Sequence, residues 1–368
     1  MRVGIIVEGA QTTIGADSGV EVWLRAGSGA ALRGVRLARA TFEPAPNAGV
    51  RLVETGDQAD EALAAPSVPS ELLVTDRHTY RGLMEVRPAT RTALTVVNVV
   101  NIEDYIRGVV PNELSSGAPS QFEALKAQAV AARTYALAHL GAYSSKGFDL
   151  CATQSCQVYR GAASEHPLSD RAVAETRGVL ATWRGRPIRA YYTSACGGHT
   201  ESGREVFDDN APYLRGVECA VRGHAEWPIQ SERAAHSDAW EVRLTPDQVL
   251  STLARYGTVG PIRDLVPHRT GASGRVVELE VIGAEGKMLL RGVKVRWGLG
   301  LPESLFVIGR ETTPDGAVER FVITGFGRGH GVGLCQLGAA AMARSGASFV
   351  AILKHYYTGI TLTRGSLS

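Results

Sequence analysis

The sequence carries almost no net charge: 39 lysines and arginines stand against 37 acids, a formal +2 over 368 residues. An obligate nucleic-acid partner usually calls for a clearly basic domain, so that class is disfavoured. No apolar run approaches the roughly 18 residues needed to span a bilayer. The opening MRVGIIVEG holds five apolar side chains before Glu8, too few for a signal-peptide core. Either the protein is cytoplasmic or a leader has been removed. No repeat of fixed period is present. Cysteines are few and odd in number: Cys151, Cys156, Cys196, Cys219 and Cys335. What is present is an ordinary globular composition, 44% hydrophobic and 21% charged, in a chain long enough for two or three cores.

The first ninety residues alternate apolar and polar side chains in short runs (VEVWL, VRLARATF, GLMEVRP), a β-rich pattern broken by turns. TALTVVNVVNIEDYIRGVV reads as a buried strand leading into a short helix. CQVYRG and PIRAYYTSACGG read as strands, and LSDRAVAETRG as a helix with Gly178 just past its end. Residues 241–320 turn β-rich again (VVELEVIG, KMLLRGVKVRWG, SLFVIG). RFVITGFG then runs into a glycine loop and a final helical region, QLGAAAMARSG and SFVAILKHYY. The class is α+β with mixed sheets, not an alternating βα wind. It divides into a β-rich region 1–90, a core 91–240, a β-rich inserted segment 241–320, and a glycine loop with helices, 321–368, that completes the core.

At the centre lies VVPNELSSGAPSQFEALKAQAVAARTYALAHL, residues 109–140. Ser120 and Glu123 have capping-box spacing, which predicts a helix starting at Gln121. One face carries Phe122, Leu125, Ala129, Ala132, Ala136 and Leu140; such an alanine-rich stripe needs other backbone close by, so the helix is central. A second face carries Lys126 and Arg133 among apolar residues, either a functional cationic edge or cations snorkelling on an ordinary helix. Ahead of the helix a lone acid, Glu113, sits among turn residues. An isolated loop carboxylate is most often a solvated surface group.

NIEDYIRGVVPNE, EALKAQAVAARTYA, CQVYRG and GFGRGHGVGLCQLGAAAMA…ILKHYYTGITL, in that order, resemble the SpoIID/LytB family of bacterial cell-wall proteins. The resemblance runs from about residue 70 to the C-terminus. It implies that Glu113, in the P-x-E position, is the catalytic acid of a lytic transglycosylase cleaving the MurNAc–GlcNAc bond of peptidoglycan strands stripped of stem peptides. Other family members are described as enhancers of cell-wall amidases. The expected partners are therefore glycan strands and, for an enhancer, a cell-wall amidase; the expected location is extracytoplasmic. A lone acid suits the chemistry. Ordinary glycosidases flank the bond with two carboxylates. Here the C6 hydroxyl of the substrate attacks C1, so one glutamate of raised pKa serves as acid and then base. Lys126 and Arg133 would orient that acid or meet the lactyl carboxylate of MurNAc. Tyr135, Gln157, Tyr159, Ser194, His199 and His330 are candidate cleft residues, in a cleft between the core and the inserted segment.

GFGRGHGVGL sits between a strand and a helix, as phosphate loops do, yet His330 stands where the dinucleotide fingerprint needs its third glycine, and G-K-[ST] is missing. The alternating glycines let a flat ligand approach the backbone, with His330 either facing a sugar or bonded within a tight loop. Where relatives usually show Ser and Tyr, this chain has Cys335 and Leu337, and Cys196 replaces a small residue. Cys151 with Cys156, and Cys196 with Cys219, could form disulfides. Alternatively Cys151 and Cys156, with His199 or another group, could hold zinc, as some family members do, or the cysteines stay thiols. Two cysteines are too few for a structural zinc site, so no cofactor is required. No signature of a Cys–His protease surrounds any cysteine.

Overall fold

The computed structural model describes residues 1–27, 33–75, 78–219 and 238–365. It divides into two compact units, residues 1–180 with the segment from 364 onward, and residues 181–363. The fold is α+β.

The first unit is built on one large sheet. Arg2–Gly9 pairs antiparallel with Ala93–Val99, and that strand in turn with Leu83–Thr90. The order continues through Glu61–Pro66 and Thr12–Arg25 to Arg33–Pro44. Glu61–Pro66 buries every second residue, as expected for a strand with one covered face. Ala93–Val99 buries six residues in succession, the signature of a strand covered on both faces. The buried amide of Asn98 is satisfied there: its Nδ2 donates to the carbonyls of Arg81 and Leu83 at 2.9 and 3.1 Å.

That strand feeds α1 (Ile102–Arg107), capped by Asn101, whose side chain accepts from the Glu103 amide. One-turn α2 (Val110–Glu113) follows, then the alanine-rich α3 (Phe122–Ala138) and α4 (Pro167–Glu175). α3 is central as expected: Ala127 through Thr134 are all buried, so its middle is enclosed on every side. Its start differs from expectation. Pro119–Gln121 forms a single 3₁₀ turn, the helix begins at Phe122, and no side chain caps it, so Ser120 and Glu123 do not form a capping box. Leu140, assigned to the buried stripe, lies past the helix end and is exposed.

CQVYRG is not a strand. After the two-residue strand Leu150–Cys151 the chain runs irregularly to Arg160. PIRAYYTSACGG likewise is not one strand: its first residue ends the two-residue strand Arg186–Pro187, and Tyr192–Thr193 forms another.

Among the sheets of the second unit are two three-stranded antiparallel ones. One orders Ala239–Leu244, Val318–Phe326 and Phe306–Thr312; the other, Ile262–Thr270, Val276–Gly283 and Lys287–Arg291. KMLLRGVKVRWG is half strand, half helix, because Gly292 at positive φ turns the chain into the helix Val293–Gly298. Leu265, Leu279, Val281, Phe321 and Ile323 are fully buried in the shared core. Each such side chain contributes ~1.5–3 kcal/mol over exposure.

Candidate functional site

Glu113 is the last residue of α2, a turn started by Pro111 and pinned by Asn112. Asn112 Nδ2 donates to Gly108 O at 2.7 Å and to Ser164 Oγ at 2.8 Å. Glu113 is half-buried, and its Oε1 accepts the main-chain N–H of Val158 at 2.7 Å. That donor is available because Val158 belongs to the irregular run after Cys156, where no ladder uses it.

The neighbouring Gln157 is fully buried. Its Oε1 accepts from the Tyr105 hydroxyl at 3.1 Å, and its Nε2 donates to Ala132 O of α3 at 3.3 Å. Burial, with the charges of Tyr159, Glu113 and Tyr135 adding, raises the Tyr105 phenol well above its ordinary pKa. Tyr105 therefore keeps its proton at neutral pH. Glu113, Tyr135 and Gln157 are thus gathered around Tyr105. Tyr135 is half-buried and stacks on His139, ring centroids 4.0 Å apart. Sequence reasoning missed Tyr105, although it lies inside NIEDYIRG; nothing in its spacing relates it to Gln157.

Three candidates have other tasks. Arg133 is fully buried, and its Nε and Nη2 donate to Glu103 Oε1 and Oε2 at 3.0 and 2.8 Å. Its Nη1 serves Ala129 O and Val179 O. With every nitrogen engaged inside the fold, Arg133 neither orients Glu113 nor meets a substrate. Lys126 Nζ bonds Glu123 and Glu175, each at 2.8 Å, so it ties α3 to α4. The expected cationic edge therefore does not exist as one surface. Tyr159 is a core residue: its hydroxyl donates to Asn98 Oδ1 at 2.7 Å and its ring packs 4.9 Å from that of Tyr105. The nearby acids Glu165 and Asp170 are held by Arg81 and Arg107.

In the second unit the glycine loop is clasped by Thr193. Its Oγ1 accepts the amides of His330 and Gly331 and donates to Arg328 O, each at 3.2 Å. The loop carries glycine at positive φ at 327, 329, 331 and 333. A Cβ at Gly329 would lie 2.2 Å from Thr193 Oγ1, and one at Gly331 2.2 Å from Arg275 Nε. His330 Nδ1 accepts the Val332 amide at 3.1 Å, the ring also bonds the Tyr192 backbone, and Phe207 packs edge-on at 4.9 Å. Burial, reinforced by Arg296 and Arg275, pulls the imidazole pKa down to about 3. His330 is thus a neutral histidine bonded within a tight loop, the second of the two roles expected of it.

His199 is half-buried, its Nδ1 2.6 Å from Thr200 O, and its carbonyl accepts from Arg275 Nη1 at 2.7 Å. Ser194 is exposed. Fully buried Arg275 also bonds Cys196 O and Glu303, at 2.7 and 3.2 Å. An arginine in the turn just before the strand Val276–Gly283, far along the chain, gave the sequence no signal of this role.

Cys151 and Cys156 form a disulfide. Joined in this way, the pair offers no thiolate. Cys196 and Cys219, expected as a second disulfide, are not joined; with Cys335 they are buried thiols whose sulfurs lie within 4.8 Å of one another. Among the described residues no helix is long and apolar enough to cross a membrane.

The family model described as stage II sporulation protein matches residues 90–183, which include Glu113, Tyr105 and Gln157. A domain of unknown function (DUF8618) matches residues 230–333. An uncharacterised protein of Brachyspira hyodysenteriae is 35% identical over 77% of this chain and 72% of its own. Stage II sporulation protein D of Bacillus amyloliquefaciens is 33% identical over 75% of this chain and 78% of its own. An amidase enhancer of Bacillus subtilis is 29% identical over 70% of this chain but only 40% of its own length.

Proposed function

The chain belongs to the stage II sporulation protein D (SpoIID/LytB) family, whose function is tied to the cell wall, and on that premise we propose that it is a peptidoglycan lytic transglycosylase with Glu113 as its acid and base. The observation that carries this reading is the setting of Glu113. It is half-buried at the end of a pinned turn and oriented by a main-chain amide, while nearby Glu103, Glu165 and Asp170 are locked in ion pairs.

In the first step the protonated Glu113 gives its proton to the glycosidic oxygen as the C1–O bond breaks. The C6 hydroxyl of the same MurNAc attacks C1, and Glu113 takes its proton, so the acid is restored within the turnover. No second carboxylate is needed, because the nucleophile is intramolecular and its effective molarity reaches roughly 10⁵ M or more. Tyr105 and Gln157 hold one another through a buried hydrogen bond, within reach of the charge of Glu113.

Mass spectrometry of purified, peptide-free glycan strands after incubation tests the reading. The expected products end in 1,6-anhydro-MurNAc, lighter by one water than hydrolytic ends. Reducing MurNAc ends, or heavy oxygen taken up from labelled water, would point instead to a hydrolase. The similarity to an amidase enhancer supports a second reading, a glycan-binding module that stimulates an amidase; it gains if no strand is cut at any protein concentration. Either role implies a location outside the cytoplasm, and the Cys151–Cys156 disulfide accords with an oxidising compartment.

A further inference from the structure

We propose that Cys196, Cys219 and Cys335 are the three thiolate ligands of a structural zinc site in the second unit, distinct from the Cys151–Cys156 pair and from Glu113. The three cysteines lie far apart in sequence. Cys196 belongs to SACGGHT, Cys219 follows the bridge between His199 and Glu218, and Cys335 stands at the start of the helix Gln336–Arg344. The fold brings their sulfurs within 4.8 Å of one another.

All three are buried. A tetrahedral site with metal–sulfur bonds of about 2.3 Å sets its sulfurs roughly 3.8 Å apart. A disulfide would have to draw two of them to about 2.05 Å and would strand the third. A metal uses all three.

The surroundings suit thiolates. Cys335 caps the helix Gln336–Arg344, and its Sγ accepts the amides of Gly338 and Cys196, both at 3.4 Å. N–H donors and the positive end of a helix stabilise negative sulfur. A fourth ligand completes the tetrahedron, and the Tyr356 hydroxyl, 3.3 Å from Cys219 Sγ, is an oxygen at the edge of the cluster. Gly338 lets these groups crowd together: a Cβ there would lie 2.4 Å from Cys219 Sγ and 2.0 Å from Tyr356 Oη. Without a cation the three cysteines are free, buried thiols. Zinc binding releases those thiol protons to solvent. Ligation would also protect three adjacent thiols in an oxidising compartment.

The full chain, freed of metal with chelator under reductant, is titrated with zinc alone, and separately with cobalt(II). We expect one ion per chain, and with cobalt a sulfur-to-metal charge-transfer band together with intense tetrahedral d–d absorption. Cys196→Ser, Cys219→Ser and Cys335→Ser should each lower zinc affinity roughly tenfold or more. Cys151→Ser should leave it unchanged. The cobalt spectrum of the unaltered chain decides the matter even if a variant does not fold. No metal uptake, a cobalt spectrum without the sulfur band, undiminished affinity in all three variants, or a disulfide within the trio in freshly purified protein would each overturn the site.

Discussion

The main-chain N–H of Val158 and the Oε1 of Glu113 are 2.7 Å apart, so a backbone group 45 residues away sets the direction of the candidate acid. An amide oxygen can accept that bond too, though more weakly than a charged carboxylate. Glu113→Gln should therefore fold normally and bind glycan, yet lose about a hundredfold or more in strand cleavage, because only the acid carries the transferable proton. Retained cleavage would remove Glu113 from the chemistry, and loss of the melting transition would make it structural.

Arg133 and Lys126 look alike in sequence and should differ sharply in urea melts. Arg133→Ala leaves Glu103 charged and buried, a change expected to cost ~3–5 kcal/mol. Lys126→Ala breaks a pair nearer the surface and should cost less than about 1 kcal/mol. Equal losses would show that the Arg133 pair does not hold the core as described.

The Cys151–Cys156 disulfide joins residues five positions apart, a closure worth roughly 2 kcal/mol on a loop-entropy account. Because Gln157 and Val158 follow directly, Cys156→Ser should reduce cleavage beyond what its lower melting temperature explains. Thiol counting in denaturant without reductant should find these two cysteines blocked. Two reactive thiols there would exclude the bond.

Acid should weaken the fold through His330. Its folded pKa, near 3, lies below the ordinary histidine value, so between about pH 6.5 and 3 the unfolded chain binds more protons. Stability from this group is complete above pH 6.5 and declines as pH falls through that window. His330→Asn, whose side-chain oxygen can still accept the Val332 amide, should flatten the slope of melting temperature against pH there. An unchanged slope would place the acid sensitivity elsewhere.

Much of the fold is legible because it is local. The run from Thr92 into NIEDYIRG yields its strand and short helix, and the alanines of α3 announce a helix enclosed by backbone. The family resemblance carried by the P-N-E segment, not the spacing itself, marks Glu113 as the candidate acid. Partners distant in sequence are not legible. Periodicity cannot say that Arg133 meets Glu103, that Tyr105 meets Gln157, or that Thr193 holds residues 330 and 331. The capping box fails for a related reason: its spacing is present, but Pro119 opens a 3₁₀ turn instead. CQVYRG reads as a strand from its composition, whereas the disulfide and Glu113 hold it in an irregular path.

The glycines at 327, 329, 331 and 333 fall on every second residue, each in a conformation that side chains resist. Such a loop is sensitive to length as well as to identity. Adding or deleting one residue within it would slide the intervening side chains into the left-handed positions and move the glycines out of them. Point changes at Arg328 or Val332 leave that frame intact; a single-residue indel does not. Related chains should therefore vary here by substitution while keeping the count of residues between Phe326 and Leu334 fixed.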